Sequence, residues 1–415
     1  MILLSHPTGN QNSRAVLHAF AREQLLFEFH TSFATFEDNV FKKYFIPSLN
    51  RRQFDNKLKP YIRTYPYYEF RHRLLNALKL QWLLPRERAQ LSMYDTGLYI
   101  NRRIANRIMR LDKGQIQAVY AYEDMAKQAF LSAKDQELQC FYDLPIGYWR
   151  VYWDLLSNEQ KLRPEWADTL VGFDSSQKKL DKKDEELSLA DHIFVASQFT
   201  AKTLTQFPGQ LKAQVHIIPY GFPQVEERVH TRSYSYDNGR GPLKMLFVGG
   251  LSQRKGLSYL FEAASAFGDH IELTIVGRKV IPDCMALNKA LDNCHQWYPS
   301  LPHSKVLELM RASDVLIFPS LFEGFGLVIT EAMSQGTPVI TTERTAGPDL
   351  IIDGENGLLA RAGDSEDLKS KIDILLSNPK KVARLGEAAH QTAAQRPWTY
   401  YGKELTQTIK QILEN

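Results

Sequence analysis

Strand-like and helix-like segments alternate along the second half of the chain, and this alternation limits the fold more strongly than any other sequence feature. Short apolar runs such as KMLFVGG, IELTIVG and DVLIFPS are followed by segments whose apolar residues recur at helical spacing. The predicted strands lie at 244–250, 271–277, 314–320 and 337–342, and the predicted helices at 255–267, 304–312 and 327–335. This order with almost uniformly apolar strands is typical of a doubly wound parallel sheet, which predicts a Rossmann-like α/β domain.

The first half shows the same pattern with long helical, basic and aromatic insertions. Its predicted strands lie at 2–6, 118–122, 140–144, 192–197 and 215–221. The stretch 223–242 is polar, rich in turn residues and without periodicity, so we expect a linker there. We therefore predict an N-terminal domain over 1–222 and a C-terminal domain over 243–398. An amphipathic helix over 399–415 is expected to pack back toward the N-terminal domain.

Length and composition indicate a folded, enzyme-sized protein. With 415 residues, 44% apolar and 24% charged, the chain suits two domains and has no low-complexity tract. We expect neither a secretory leader nor a membrane span, because polar residues interrupt the opening segment and no stretch reaches the roughly 20 consecutive apolar residues that a span requires. Its three cysteines, Cys140, Cys284 and Cys294, lack metal-ligand spacing. These features predict a cytoplasmic protein without structural zinc.

Positive charge is concentrated in the first half. Residues 40–113 contain 17 Lys and Arg against 5 Asp and Glu, so this segment carries +12 and the rest of the chain −8. Aromatic residues are interleaved there, among them Phe41, Tyr44, Phe45, Phe54, Tyr61, Tyr65, Tyr67, Tyr68, Phe70 and Trp82. The pattern fits a membrane surface, an anionic saccharide or nucleic acid, and also a solvated basic surface over core aromatics. Because no nucleic-acid-binding motif accompanies the charge, we rank a membrane or a lipid-linked saccharide first.

Two glutamates stand eight residues apart in the segment FEGFGLVITEAM, residues 322–333. Glu323 lies in a turn after a predicted strand, and Glu331 lies one turn into a helix predicted to begin near Leu327. Ligands bind beyond the carboxyl ends of parallel strands, so Glu331 is placed to accept hydrogen bonds from a vicinal diol such as a ribose. Glu323 is placed to reach another hydroxylated group. The alternative is that Glu331 only complements the helix dipole and Glu323 is a surface charge.

The same segment contains the elements of an anion site. Gly324 and Gly326 allow a ligand to approach the backbone closely, and the first N–H groups of the helix, at 325–328, are free to bind a phosphate. A second segment, FVGGLSQRKG, brings Arg254 and Lys255 to the same edge of the sheet. Together these groups would neutralise a diphosphate, although an exposed Arg-Lys pair is also common in proteins.

Three segments resemble a known family: GGLSQRKG, SDVLIFPSLFEGFGLVITEAMSQGTPVITT and GPDLIIDGENGLL. They are similar to the nucleotide-sugar domain of the large retaining glycosyltransferase family 4, densely over 240–375 and loosely in the first half. The resemblance implies the GT-B fold, in which two Rossmann-like doubly wound domains face a central cleft. It also implies transfer of a hexose-type sugar from a nucleoside-diphosphate sugar to a hydroxyl group of a saccharide or lipid-linked acceptor, in cell-surface or other glycan biosynthesis.

The resemblance also implies residue roles. Arg254 and Lys255 would bind the diphosphate and stabilise the departing nucleoside diphosphate. Glu331 would hold the donor ribose, and Glu323 would contact hydroxyl groups of the transferred sugar. Arg278 would lie near the base. The remaining donor-binding positions that the resemblance implies are Gly9, Gly250, Gly324, Phe325, Gly326 and Leu327.

The N-terminal domain departs from the family pattern at two places. The loop that covers the diphosphate has Gly9-Asn10 where a double glycine is frequent. In addition, the histidine that often contacts the transferred sugar has no counterpart at the end of an N-terminal strand. His6 is expected to support the glycine loop instead, and His303 is expected to lie near the base.

Acidic residues occupy the strand ends where that histidine would stand. CFYDLPIGYW offers Asp143, and AYEDMA offers Glu123 and Asp124. We favour Asp143 as the residue that contacts the transferred sugar or orients the acceptor. Its alternative role is to cap the turn before Pro145.

The chemistry implied by the resemblance is metal-independent transfer with retention of configuration, without a tightly bound cofactor. No Asp-x-Asp motif for a metal is present in the sequence. In a front-face mechanism the leaving phosphate itself helps to deprotonate the acceptor. Two alternatives remain open: a catalytically silent nucleotide-sugar-binding GT-B module and a nucleotide-sugar epimerase.

Overall fold

The computed structural model describes residues 1–36, 52–78, 93–225, 241–294 and 296–414. Most of the predicted linker, residues 226–240, lies outside this part of the chain. The same holds for 37–51 and 79–92 in the basic segment. The aromatic residues that consequently lie outside the description are Phe41, Tyr44, Phe45 and Trp82, together with the side chain of Tyr68.

The N-terminal domain contains a sheet of seven parallel strands in the order β3-β2-β1-β4-β5-β6-β7. Its strands are β1 Ile2–Ser5, β2 Leu26–Thr31, β3 Ile62–Thr64, β4 Ala118–Tyr122, β5 Gln139–Leu144, β6 His192–Val195 and β7 Gln214–Ile217. The order reverses between β1 and β4. Loops that follow these two strands therefore diverge and leave a crevice at the carboxyl edge of the sheet.

The C-terminal domain contains six parallel strands in the order β10-β9-β8-β11-β12-β13. They are β8 Leu243–Val248, β9 Ile271–Val276, β10 Gln296–Tyr298, β11 Val315–Phe318, β12 Val339–Thr342 and β13 Leu358–Ala360. Here the order reverses between β8 and β11. Both sheets are parallel and covered by helices, so the predicted pair of Rossmann-like domains is confirmed.

Helices cover both sheets. In the N-terminal half they are α1 Gln11–Arg22, α2 Tyr67–Ala77, α3 Met93–Ile108, α4 Lys127–Asp135, α5 Trp149–Leu162, α6 Gln177–Leu189 and α7 Gln198–Thr203. In the C-terminal half they are α8 Leu257–Ser265, α9 Met285–Asp292, α10 His303–Ala312, α11 Leu327–Ser334, α12 Gly347–Leu350, α13 Ser365–Leu376, α14 Pro379–Gln395 and α15 Trp398–Glu414. Within the described ranges, none of these helices combines the length and the apolar character needed to cross a bilayer.

Four strands were not predicted from the sequence. Strand β2 carries buried Glu28 and His30, which interrupt its apolar run. Strands β3, β10 and β13 have three residues each, too few to give a periodic signal. The predicted strand at 215–221 ends at Ile217, and the residues beyond it lead toward the second domain.

The final helix, α15, packs against α1 of the N-terminal domain. Its residues Tyr401, Leu405 and Ile409 are buried on one face. Lys410 Nζ lies 2.5 Å from a carboxylate oxygen of Glu23 on α1. A Cβ atom on Gly402 would lie only 2.9 Å from Ala19, so the two helices approach closely there. The end of the chain thereby ties the C-terminal domain back to the first.

Candidate functional site

The candidate site lies where the strand order of the C-terminal sheet reverses. Arg254 and Lys255 are in a short 3₁₀ helix, Gln253–Lys255, that follows β8, and Glu323 is in the turn that follows β11. Because β8 and β11 are neighbours in a parallel sheet, these two segments meet at the carboxyl edge. The sequence placed the same residues at this edge.

The structure brings Arg254, Lys255 and Glu323 into one cluster. Lys255 Nζ contacts Glu323 Oε2 directly, and Arg254 Nη1 lies 3.2 Å from the same oxygen. Arg254 Nη1 also donates a hydrogen bond of 2.7 Å to the carbonyl oxygen of Phe322. The side chain of Lys255 is only 12% exposed and passes over the ring of Phe318. Two cations and one carboxylate leave a net charge of +1 in a largely buried place.

Burial governs the ionisation of this cluster. Desolvation lowers the pKa of Lys255 to about 8, with Arg254 acting in the same direction and Glu323 in the opposite one. Burial by itself would raise the pKa of Glu323, but Lys255 and Arg254 outweigh it and hold that pKa below its ordinary value. At neutral pH the cluster is therefore charged, and a partly desolvated cation attracts an anion strongly.

Helix α11 begins beside this cluster with unused N–H groups. Gly326 precedes it with φ of +91°, and no side chain caps the helix. A Cβ atom on Gly326 would lie 2.9 Å from the ring of Phe318, so only glycine fits there. The N–H groups of Leu327 and Val328 have no acceptor among the residues that the structure describes. Uncapped amides next to two cations form a binding site for a phosphate group.

Glu331 lies one turn into α11 and pairs with His303, the first residue of α10. Its Oε1 atom is 3.1 Å from His303 Nε2. Burial raises the pKa of Glu331, and the hydrogen bond with His303 opposes that shift. His303 is 65% exposed, so this contact is open to solvent. The histidine that the sequence placed near the base thus lies against the candidate ribose-binding carboxylate.

Gly250 and Arg278 lie at the ends of neighbouring strands β8 and β9. The N–H of Leu251 donates to the carbonyl oxygen of Arg278 at 2.8 Å, which aligns the two strand ends. Gly250 and the side chain of Arg278 are exposed. Arg278 forms no salt bridge with any described residue, so its charge is available at this edge.

Gly324 and Phe325 touch the N-terminal domain. The carbonyl oxygen of Gly324 accepts hydrogen bonds from Ser197 Oγ at 2.7 Å and Thr200 Oγ1 at 3.0 Å. A Cβ atom on Gly324 would lie 1.9 Å from the carbonyl oxygen of Pro145. Phe325 is buried against Tyr220. The turn predicted to line the sugar pocket therefore also holds the two domains together.

The glycine loop of the N-terminal domain is internally bonded. The N–H groups of Gly9 and Thr8 donate to His6 Nδ1 at 2.8 and 3.1 Å. Burial, followed by the charge of Arg52, lowers the pKa of His6 to about 3, so His6 is neutral and serves as the acceptor. Gly9 itself is buried against Phe54. His6 supports the loop as predicted, whereas the N–H of Gly9 does not point to a ligand in this arrangement.

Asp143 lies at the end of β5 and is buried among tyrosines. It is 3% exposed and accepts a hydrogen bond of 2.7 Å from the hydroxyl group of Tyr120. Burial raises its pKa to about 7, and the Tyr120 hydrogen bond limits that rise. In the part of the chain that the structure describes, the side chain of Asp143 does not cap the turn before Pro145. The carboxyl group faces protein rather than solvent.

The other two acidic candidates are bound to lysines. Lys183 Nζ lies 3.0 Å from a carboxylate oxygen of Glu123 and 4.0 Å from Asp124 Oδ2. Buried Glu186 accepts hydrogen bonds from three N–H groups of this loop, those of Asp124, Ala126 and Lys127. Glu186 therefore stabilises the start of α4, and the Glu123 carboxylate is neutralised by Lys183.

Sequence reasoning missed the contacts that join the domains. Thr169, after α5, accepts a hydrogen bond of 2.7 Å from Ser252 Oγ through its carbonyl oxygen, and its own Oγ1 accepts one of 2.8 Å from the N–H of Gln253. The side chain of Gln253 donates to Glu159 at 2.8 Å. These bonds fix the segment before Arg254. Ser252 and Gln253 lie in the segment GGLSQRKG, but their partners Glu159 and Thr169 belong to no motif, so nothing in the sequence indicated these contacts.

Comparison with known proteins agrees with this geometry. Residues 235–392 match the family model described as "Glycosyl transferases group 1". The chain is 27% identical over 246 residues, 55% of its length, to the MMP alpha-(1->4)-mannosyltransferase of Mycolicibacterium hassiacum, of which this match covers 56%. The chain thus spans about half the length of the curated relatives it matches.

Solved structures extend the similarity to both domains. Sucrose-phosphate synthase from Thermosynechococcus elongatus has a TM-score of 0.66 at 17% identity, with 100% of this chain and 99% of that one covered. Anabaena Alr3699/HepE, solved in complex with UDP and glucose, has a TM-score of 0.63 at 17% identity, with 99% of each chain covered. The chain therefore has the GT-B fold.

Proposed function

We propose that the protein is a retaining glycosyltransferase that moves a hexose-type sugar from a nucleoside-diphosphate sugar to a hydroxyl group of a saccharide or lipid-linked acceptor. The observation that carries the proposal is the buried cluster of Arg254 and Lys255 beside the uncapped start of α11. Both elements lie at the point where the strand order reverses, which is where nucleotides bind in doubly wound sheets. The curated mannosyltransferase relative and the family model support the same activity.

The chemistry follows from the charges of this cluster. Cleavage of the sugar-phosphate bond builds negative charge on the departing diphosphate. Lys255 and Arg254 would stabilise that charge together with the N–H groups of Leu327 and Val328, because all of them are fixed before the reaction. Glu323 holds both cations in position. Its role toward the hydroxyl groups of the transferred sugar, which the family resemblance implies, would use the carboxylate oxygen that Arg254 and Lys255 leave free.

The nucleoside would lie along the α11 and α10 side of the same edge. Glu331 would accept hydrogen bonds from the ribose, with His303 beside it, and exposed Arg278 would lie toward the base. The Anabaena neighbour was solved with UDP and glucose, which makes UDP the first nucleotide to test.

Nucleoside-diphosphate release distinguishes this proposal from a silent binding module. A thermal-shift screen of UDP, GDP and ADP and their sugars would first identify the donor. During incubation with that donor and an added saccharide, release of the nucleoside diphosphate is then expected, with the sugar passing to a hydroxyl group of the saccharide or, more slowly, to water. Binding of the donor without release would indicate a silent module, and conversion of the donor sugar without release would indicate an epimerase. Turnover that persists after EDTA treatment is expected for metal-independent transfer.

Membrane contact through the basic N-terminal domain is part of the proposal for a lipid-linked acceptor. Helix α2 exposes Phe70 and Leu74 at a spacing of four residues, and Leu78 follows at the same spacing. Arg71 on the same helix is also exposed. An exposed apolar stripe next to cations is a pattern that binds anionic membrane surfaces.

A further inference from the structure

A cavity of about 470 Å³ opens at the carboxyl end of β3, away from the candidate donor site. It is lined by Thr64, Tyr65, Pro66, Tyr67, Phe70, Tyr99 and Arg103. We propose that this cavity binds a sugar unit with a negatively charged group, as part of the acceptor. The assignment to the acceptor rests on the proposed function, whereas binding of the charged sugar does not.

The walls of the cavity have the chemistry of a sugar-binding surface. Four of its residues are aromatic, and three of those are tyrosines. Flat aromatic rings pack against the apolar face of a pyranose. Its volume falls within the roughly 300–1,000 Å³ of small-ligand sites. Phe70 is 67% exposed, so the cavity is open to a large ligand such as a glycan.

The aromatic wall is held in place by a buried hydrogen-bonded chain. The hydroxyl group of Tyr65 lies 2.9 Å from His30 Nδ1, and His30 Nε2 lies 3.0 Å from Glu28. Tyr99 meets Tyr65 edge to face, with ring centroids 6.2 Å apart. A ligand that stacks on Tyr65 would therefore meet an oriented ring rather than a mobile one.

Charge distinguishes Arg103 from the arginines around it. Arg63 and Arg107 both bind the buried carboxylate of Glu28, at 3.3 and 3.0 Å. Arg103 is exposed, and its guanidinium group lies 5.8 and 5.9 Å from the ring centroids of Tyr65 and Tyr99. It has no acidic partner in the described part of the chain. A guanidinium held over aromatic rings without a counter-ion is a binding group for a carboxylate or a phosphate.

The cavity is connected to the glycine loop at the domain cleft. Glu69, on α2 between two cavity residues, binds Arg52 at 3.1 Å and also contacts the hydroxyl group of Ser32. Ser32 Oγ in turn lies 2.6 Å from the carbonyl oxygen of Pro7. Pro7 stands two residues before Gly9, so the cavity and the cleft share one edge of the N-terminal sheet. This is the domain in which an acceptor is expected.

Calorimetric titration of the full chain tests the inference with three probes. Trigalacturonate carries carboxylates, glucose 6-phosphate carries a phosphate, and maltotriose is neutral. At least one charged probe is expected to bind about tenfold more tightly than maltotriose, and which one binds identifies the anionic group. Arg103→Gln is expected to weaken that binding by about tenfold or more, because a charge-assisted hydrogen bond is lost. Arg102→Gln, the matched control at an exposed neighbour on α3, is expected to stay within about twofold of the original.

Three results would overturn the inference: no charged probe binds more tightly than maltotriose, Arg103→Gln binds as the unchanged chain does, or the chain binds only vesicles of phosphatidylcholine and phosphatidylglycerol. The last result would identify the aromatic surface as a membrane contact. Donor binding by Arg103→Gln, measured on the same preparation, separates the two proposals. If the chain releases no nucleoside diphosphate from the donor but still binds the charged sugar, the proposed function is wrong and the cavity is a separate glycan-binding site.

Discussion

The two sheets of this protein reverse their strand order in the same way, yet their edges differ at the reversal. In the C-terminal domain Arg254 and Lys255 share one carboxylate, and the first N–H groups of α11 are uncapped. In the N-terminal domain the amides of the loop after β1 are bound to His6, and Glu123 after β4 is bound to Lys183. The topology of both sheets thus leaves a crevice where the strand order reverses. Among the residues that the structure describes, groups free to bind a diphosphate occur only at the reversal in the C-terminal sheet.

This difference indicates what makes such a crevice a site. A lysine is buried at both edges, with 12% of the Lys255 side chain and 14% of the Lys183 side chain exposed. Lys183 has a carboxylate of its own, whereas Lys255 shares Glu323 with Arg254. Surplus charge next to free amides can bind an anion, whereas a lysine paired with its own carboxylate has no charge left over for one.

Lys255→Ala is expected to have the largest effect. It removes the cation that would stabilise the leaving diphosphate, so kcat should fall by about 10³-fold, with a much smaller rise in the donor KM. Steady-state kinetics with the donor found in the nucleotide screen would measure both constants. A change confined to KM would make Lys255 an anchor for the ground state.

Lys183→Ala is the matched change in the N-terminal domain. It leaves Glu123 buried without its partner, so the free energy of unfolding should fall by about 3 kcal/mol. Denaturant titration would measure that loss. At a temperature where the variant is folded, kcat should remain within about twofold of the original, and a larger loss would place Glu123 in the reaction after all.

Asp143→Asn tests the residue that sequence reasoning favoured for contact with the transferred sugar. The folded-state pKa of about 7 lies above the ordinary value of 3.8, so the original chain loses stability as pH rises between these two values. The Asn variant lacks this slope, so it should be more stable than the original chain above pH 7, where the original has lost up to about 4 kcal/mol. Thermal denaturation across this pH range would measure the difference. A loss of turnover without a change in stability would instead support the sugar-contacting role.

Glu331→Ala is expected to weaken donor binding by more than about tenfold, because the ribose loses a charged acceptor. Isothermal titration with the donor would measure it. His303→Ala is the control, since it removes the neighbour of Glu331 and leaves the carboxylate. Unchanged donor affinity in Glu331→Ala would refute the ribose assignment.

The pH dependence of donor binding is expected to be the smallest effect. Lys255 loses its proton as pH rises through about 8. A diphosphate that needs the charged lysine should therefore bind about fourfold more weakly at pH 8.5 than at pH 7. Lys255→Arg should remove most of this dependence, because arginine stays charged. If donor binding by Lys255→Arg showed the same pH dependence as the original chain, a group other than Lys255 would be responsible for that dependence.

The sequence predicted the C-terminal domain more fully than the N-terminal one for a physical reason. Apolar parallel strands and the segment at 322–333 are local patterns, so the cluster around Lys255 was foreseen from spacing. The ion pair between Lys255 and Glu323 was not foreseen, because Arg254 and Lys255 were assigned to a diphosphate and Glu323 to the transferred sugar. The burial of Asp143 among tyrosines was not foreseen either, because those tyrosines come from distant segments of the sequence. Contacts between remote segments decide which polar groups are free. The spacing of residues along the sequence does not show these contacts.

The most direct test of the C-terminal site is a crystal structure of the chain with bound UDP or another nucleoside diphosphate selected by the thermal-shift screen. The diphosphate is expected at hydrogen-bonding distance, roughly 3 Å, from Lys255 Nζ, from Arg254 and from the first N–H groups of α11. The ribose is expected beside Glu331. A diphosphate bound elsewhere, with Lys255 still held by Glu323 alone and the start of α11 empty, would contradict the account.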